Sequence, residues 1–193
     1  NGAKEGDFLH CAILRHPIRD GKPQAKVLTV IGDESTPGIE NLYCMAKYRL
    51  ATQWSSASTE ELKQCLASRK PMETEKRRDL TGLEFVSIDA AKTQDIDDAL
   101  YAEISSDGWT LFVAIADPTA YVDSGSTLHR DVAARGTTIY FHGDVLPMLP
   151  EELSNHLCSL RPKVDRLAFV AEVIVDLAGT VLGSRFYKAV IRS

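Results

Sequence analysis

Polar and apolar positions partly alternate over residues 7–14 (DFLHCAIL) and 25–31 (AKVLTVI), with His16-Pro17 and Asp20-Gly21 between them. Alternation of period two around turn-forming residues predicts a β-hairpin. Two strands cannot bury a core alone, so the hairpin must belong to something larger. After Pro37-Gly38 the period changes: Ile39, Leu42, Tyr43, Ala46 and Leu50 recur at helical spacing, which predicts a helix over 39–50. Ser58 followed by Glu61 has the spacing of a capping box and predicts a second, short helix with its body at Leu62–Leu66. Lys70–Arg78 is polar and charged and reads as a linker.

From Asp79 the pattern changes again. Residues 85–88, 99–104 and 110–116 read as strands, the last two joined by a tight turn at Asp107-Gly108. Ser126 is placed to cap a helix that stops at Gly136, and 137–141 reads as a strand. Pro147–Pro150 reads as a rigid turn into a helix over 151–160. A final hairpin, 167–175 with 180–191, folds around Asp176-Leu177-Ala178-Gly179. Strands and helices mix without regular alternation, so the expected class is α+β.

The 193 residues are 44% hydrophobic and 25% charged, which places the chain among globular sequences and excludes a disordered one. They suffice for one domain, or for one domain and part of another. No apolar run approaches the ~20 residues that a membrane-spanning helix needs. The start at Asn1, without a charged and then apolar leader, reads as an internal start with no signal peptide. Cys11, Cys44, Cys65 and Cys158 stand tens of residues apart with no histidine clustering, so zinc is not expected. They read as buried or incidental thiols of a reducing compartment. His129, His142 and His156 lack partners at ligand spacing. A net charge of −5 counts against nucleic acid as a partner, unless the acids hold cations and a basic channel lies elsewhere in a longer chain.

The chemistry concentrates in Ser87-Ile88-Asp89-Ala90-Ala91-Lys92-Thr93-Gln94-Asp95-Ile96-Asp97-Asp98. Asp89, Asp95, Asp97 and Asp98 put four carboxylates within ten residues, between two apolar runs. Neighbours on a strand face opposite ways, so convergence of Asp97 and Asp98 with the others requires the segment to leave strand geometry. Like charges at 4 Å repel by about 4 kcal/mol at a near-surface dielectric of about 20, so such a group must take up protons or cations. All-oxygen donors suit Mg²⁺, which keeps water or phosphate oxygens in its other positions. Phosphodiester hydrolysis is chemistry that such a site can serve. Counted from Asp89, Gln94 stands where a calcium loop needs glycine and Leu100 where it needs glutamate, so that pattern fails. On spacing alone a solvated acidic loop remains open beside the cation site.

The segment has company. Asp79-Leu80-Thr81 precedes it, and Val113-Ala114-Ile115-Ala116-Asp117-Pro118-Thr119-Ala120 and Arg135-Gly136-Thr137-Thr138-Ile139-Tyr140 follow. Next come Pro147-Met148-Leu149-Pro150-Glu151-Glu152-Leu153-Ser154, Leu157-Cys158-Ser159-Leu160 and Asp165-Arg166-Leu167-Ala168-Phe169. In this order they resemble the first part of the catalytic domain of the ribonuclease II and ribonuclease R family. The Asp-Pro-Thr-Ala wording leans to the ribonuclease II branch.

The resemblance implies residues 1–35 as the end of a cold-shock-type barrel, 36–78 as a helical linker and 79–193 as the first part of the catalytic domain. It implies a cytoplasmic, Mg²⁺-dependent, 3′-to-5′ exoribonuclease, with Mn²⁺ able to substitute, that releases nucleoside 5′-monophosphates from single-stranded RNA as a monomer. The family's four catalytic aspartates fall on Asp89, Asp95, Asp97 and Asp98. Asp89 and Asp98 are assigned as direct metal ligands; Asp95 and Asp97 complete the site or orient water. Tyr140 falls on the tyrosine that packs against the terminal base, and Asp117 is given a supporting or turn role. The family's domain continues past this length through a second base-clamping aromatic, an arginine region and an RNA-binding barrel, so these residues alone are expected to be inactive. Two other classes stand beside this reading: a non-catalytic RNA-binding relic of the same family, and an acidic cation-binding module unrelated to RNA.

Overall fold

The computed structural model describes residues 2–18, 21–68 and 77–193. Asp20 and, of the charged stretch Lys70–Arg78, all but Arg77 and Arg78 fall outside the described residues. The order is strands β1 (Phe8–Arg15) and β2 (Gln24–Gly32), then helices α1 (Ile39–Lys47) and α2 (Ser56–Ser68). Next come β3 (Arg78–Asp79), β4 (Asp98–Ser105), β5 (Gly108–Ala116), a 3-10 turn at Pro118–Ala120 and α3 (Thr127–Arg135). The order ends with β6 (Ile139–Phe141), β7 (Asp144–Leu146), a π-helical segment Glu152–Leu157, β8 (Asp165–Asp176) and β9 (Val181–Arg192). This is the expected α+β mixture. By packing the chain divides into Asn1–Trp54 with Thr138–Leu146, and Ser55–Thr137 with Pro147–Ser193.

In the first unit β1 and β2 pair antiparallel from Phe8↔Gly32 to Arg15↔Gln24. Phe8 meets Tyr43 of α1 edge-on at 5.6 Å, and Asn41 donates to the His142 carbonyl at 3.2 Å. Helix α1 stops at Lys47, short of the expected Leu50, because Arg49 takes a left-handed φ of 53° that a right-handed helix cannot continue through. The strand expected at 137–141 shrinks to β6 and turns back at Gly143 into β7. The short run Asp-Val-Leu gave no period from which β7 could be read.

The second unit is built on a five-stranded sheet ordered β3-β9-β8-β5-β4, antiparallel except where β3 lies parallel to β9. Ala99, Ala114, Ala168 and Ala189, one from each long strand, are all fully buried on one face. Phe85, Phe112, Leu160, Val170 and Ile191 fill the space over these small side chains, with Ile96 packed against them. Residues 85–88 do not form the expected strand. Val86 and Leu100 exchange one pair of backbone hydrogen bonds, and the chain then leaves the sheet with Ile88 85% exposed.

Two expected helix signals resolve differently. Ser55 caps α2, its hydroxyl accepting the Ser58 N–H at 3.2 Å, so Ser58 is not the cap. Ser58 is instead fully buried and donates to Asp131 of α3 at 2.7 Å. Glu61 does not reach back along its own helix; its carboxylate accepts the N–H groups of Thr127 (2.9 Å) and Leu128 (2.7 Å) at the start of α3. The Ser126 hydroxyl takes the next amide, from His129, as expected. The helix expected at 151–160 opens after Pro150 but widens to a π-turn, with the Cys158 N–H donating to the Leu153 carbonyl at 2.8 Å. That winding buries Leu153, Cys158, Ser159 and Leu160 together. Burial pushes the Cys158 thiol up to about 12.

Gly108 sits at the β5 end of the hairpin, at φ 149°, where an added Cβ would lie 2.0 Å from the Val175 carbonyl oxygen. We therefore expect Gly108→Ala to destabilise the second unit by at least about 1–3 kcal/mol. Chemical denaturation read by circular dichroism checks this.

Candidate active site

The acidic segment is irregular from Asp89 to Asp97 and joins the sheet at Asp98. Asp89 is exposed beside a turn closed by the Thr93 N–H on the Ala90 carbonyl at 2.9 Å. Asp95 is half-buried, and Asp97 and Asp98 are exposed. Asp98 opens β4 opposite Ile115, and the alternation of the strand sends it away from the face that buries Ala99.

The backbone of this segment is held from two sides. The Asp97 carbonyl accepts the Ala116 N–H at 2.9 Å, continuing the β4–β5 ladder one step beyond the strand. On the other side the Ser159 hydroxyl donates to the Gln94 carbonyl at 2.6 Å and accepts the Ile96 N–H at 3.1 Å. The Leu160 N–H donates to the Ile96 carbonyl at 2.8 Å. The carboxylates thus project from a fixed main chain.

Among the described residues no three His, Cys, Asp or Glu side chains come together in a group that could hold a metal ion. Mutual repulsion of like charges favours that separation. The chemistry of the donors nevertheless fits a hard divalent cation, since all four offer carboxylate oxygen. Mg²⁺ commonly takes one or two carboxylates and completes its shell with water and phosphate oxygens. Tyr140 belongs to the β6–β7 hairpin of the other unit, where its ring is 69% exposed.

Next to the acidic segment lies a buried ion pair. The side chains of Asp117 and Arg77 are each 4% exposed, with Arg77 Nη2 at 2.7 Å from Asp117 Oδ2 and Lys188 Nζ at 3.7 Å. The other carboxylate oxygen accepts the N–H and hydroxyl of Thr119 and so starts the 3-10 turn. Burial pushes the Asp117 carboxyl up, but the hydrogen bonds from Thr119 and Arg77 and the charges of Lys188 and Arg77 outweigh it, holding it below the usual value of 3.8. Sequence reading had Asp117 as a supporting residue but missed Arg77, which was absorbed into a charged linker. It also missed Ser159, whose one signal was a hydroxyl inside the apolar run Leu-Cys-Ser-Leu.

Residues 77–193 match the model of the RNB domain. The chain belongs to the RNB family, that of ribonuclease II and ribonuclease R. Residues 1–55 match a cold shock domain. The chain is 42% identical to ribonuclease R of Acidithiobacillus ferrooxidans over 97% of its own length and 43% of the relative's. It is 37% identical to exoribonuclease 2 of Aeromonas hydrophila over 98% of itself and 28% of the relative. Relatives of both names align along nearly the whole chain. Among solved structures, Mycoplasma genitalium RNase R in complex with ribose methylated single-stranded RNA superimposes with a TM-score of 0.88 at 28% identity, covering 100% of this chain and 30% of that one. The chain spans less than half the length of these relatives.

The RNB match opens on Arg77, the residue buried against Asp117. Asp117→Asn should cost this RNB unit about 3–5 kcal/mol, the usual penalty for leaving a buried charge without its partner. The Asp117 pKa is depressed in the fold, so its contribution is fully present above 3.8 and is lost as pH falls through the lower native value. Denaturation at a series of pH values should show a constant gap between parent and variant down to about that point, narrowing below it.

Proposed function

We propose that this chain carries the acidic half of the active site of an exoribonuclease that degrades single-stranded RNA from the 3′ end to nucleoside 5′-monophosphates. The observation that carries the reading is a set of four carboxylates within ten residues on a main chain fastened from both sides, inside an RNB domain. The matched ribonucleases and the RNA-bound Mycoplasma enzyme supply the substrate class. The acidic module unrelated to RNA loses to the same comparisons. A non-catalytic relic would have no reason to keep all four acids.

Asp89 and Asp98 would hold Mg²⁺, or Mn²⁺ in its place, and Asp95 and Asp97 would complete the set or orient the attacking water. When bound, the cation supplies a water of lowered pKa and positive charge for the phosphate oxygens. The carboxylates would orient such a water by accepting its hydrogens, and their fixed backbone limits how far they can turn. Tyr140 offers an exposed ring on which any base can stack, which suits a sequence-tolerant enzyme. The net charge of −5 leaves phosphate binding to the remainder of the longer protein. The same reading places the protein, as a monomer, in the cytoplasm, where four free thiols stay reduced.

In the full-length protein, Asp97→Asn is expected to lower turnover by orders of magnitude and leave RNA affinity intact, because the amide keeps the shape but not the charge. Tyr140→Ala should instead weaken the hold on the RNA end by about 1–3 kcal/mol. Single-turnover cleavage and filter binding on both variants read the two effects separately. Cleavage by Asp97→Asn at the parent rate would remove that aspartate from the mechanism.

The 193 residues alone should shorten 5′-labelled oligoadenylate in Mg²⁺ barely or not at all. The groups that face the carboxylates and stabilise developing charge are assigned to the rest of the domain. A ladder of single-nucleotide steps at enzymatic rates would overturn this expectation.

A further inference from the structure

Ser159 is 1% exposed, and the hydrolysis derived above makes no use of it. Its hydroxyl bonds the carbonyl of Gln94 and the amide of Ile96, the backbone groups on either side of Asp95. One hydroxyl that donates to the first and accepts from the second fixes the peptide planes through which Asp95 is attached. The next amide, of Leu160, holds the Ile96 carbonyl, one residue before Asp97. Ser159 is itself anchored, since Arg166 Nε in β8 donates to its carbonyl at 2.8 Å and Arg166 Nη1 donates to the Asp165 carbonyl at 3.3 Å. A continuous path of hydrogen bonds therefore runs from the sheet through Arg166 and Ser159 to the acidic segment. Ala116 supplies the opposite anchor from β5.

We infer that Ser159 is a positioning residue for Asp95 and Asp97, setting the main chain of residues 94–97 and with it the aim of the carboxylates. The inference rests on the reading that these aspartates perform the hydrolysis. A serine that only filled space in the core could be replaced by alanine, one oxygen smaller, with little effect on chemistry. A serine that sets the geometry cannot, because alanine frees both the Gln94 carbonyl and the Ile96 amide. The repulsion among the carboxylates then moves the segment outward, while groups that contact RNA elsewhere are untouched.

The test uses the full-length protein. Ser159→Ala is expected to lower kcat by about 10- to 100-fold, the usual effect of removing a group that orients a metal-site ligand. RNA affinity should stay at the parent value. Ser159→Cys keeps the volume with a poor hydrogen-bonding group and should show the same split, which covers a failure of the alanine variant to fold. Ser159→Thr restores a hydroxyl and should recover most of the rate. Mn²⁺ affinity without RNA, read by water-proton relaxation, should fall in the alanine and cysteine variants and recover in the threonine one. An alanine or cysteine variant that folds cooperatively and keeps the parent kcat and Mn²⁺ affinity overturns the inference. Equal losses of kcat and RNA affinity also overturn it, since they mark general damage. Asp97→Asn run alongside separates the two readings: if it cleaves normally the hydrolytic assignment fails, and Ser159 is then judged by Mn²⁺ affinity alone.

Discussion

Like charges cannot hold one another in place. Four carboxylates within ten residues push apart, so the segment that carries them must be fixed by groups that are not themselves acidic. The fold meets this by gripping the main chain. Ala116 takes the Asp97 carbonyl from one side, and Ser159 and Leu160 take residues 94 and 96 from the other. Backbone groups carry no net charge and do not titrate, so the grip is indifferent to pH and to the protonation of the aspartates it presents.

The sheet beneath makes that grip possible. A floor of fully buried alanines leaves room for Phe85, Leu160 and Ile96 to lie close over the strands. Larger residues there would lift the acidic segment off Ala116. At the rim the Arg77–Asp117 pair fastens the start of the RNB match to the end of β5 and, through Thr119, sets the turn that follows. Two polar devices, one neutral and one ionic, thus bracket the same corner of the sheet.

What the sequence revealed, and what it hid, follows from the range of the interactions. The long strands β4, β5, β8 and β9 were legible because each is a run of eight residues or more rich in apolar side chains. The acidic segment was legible by composition, and the Ser126 cap and the stop at Gly136 by local rules. Failures came where a distant partner decided the outcome. Ser58 and Glu61 matched a capping box in spacing, yet their partners Asp131 and Thr127 lie more than sixty residues away. The π-turn at 152–157 was invisible because nothing in its sequence announces an extra residue per turn. Arg77 was lost among neighbouring charges, although its side chain is buried where that of Arg78 is exposed.

The reciprocal bonding of α2 and α3 bears on how such a protein can be taken apart and recombined. Ser55 and Ser58 hold Asp131 in α3, and Glu61 in α2 satisfies the first amides of α3. Each helix therefore completes the other, although the RNB match itself begins only at Arg77. A chimera spliced at that boundary would keep the Ser126 cap but leave the Thr127 and Leu128 amides of α3 without the Glu61 carboxylate, and Asp131 without its hydroxyls. By packing, Ser55–Thr137 and Pro147–Ser193 form one unit, so α2 is inherited with the RNB module behind it.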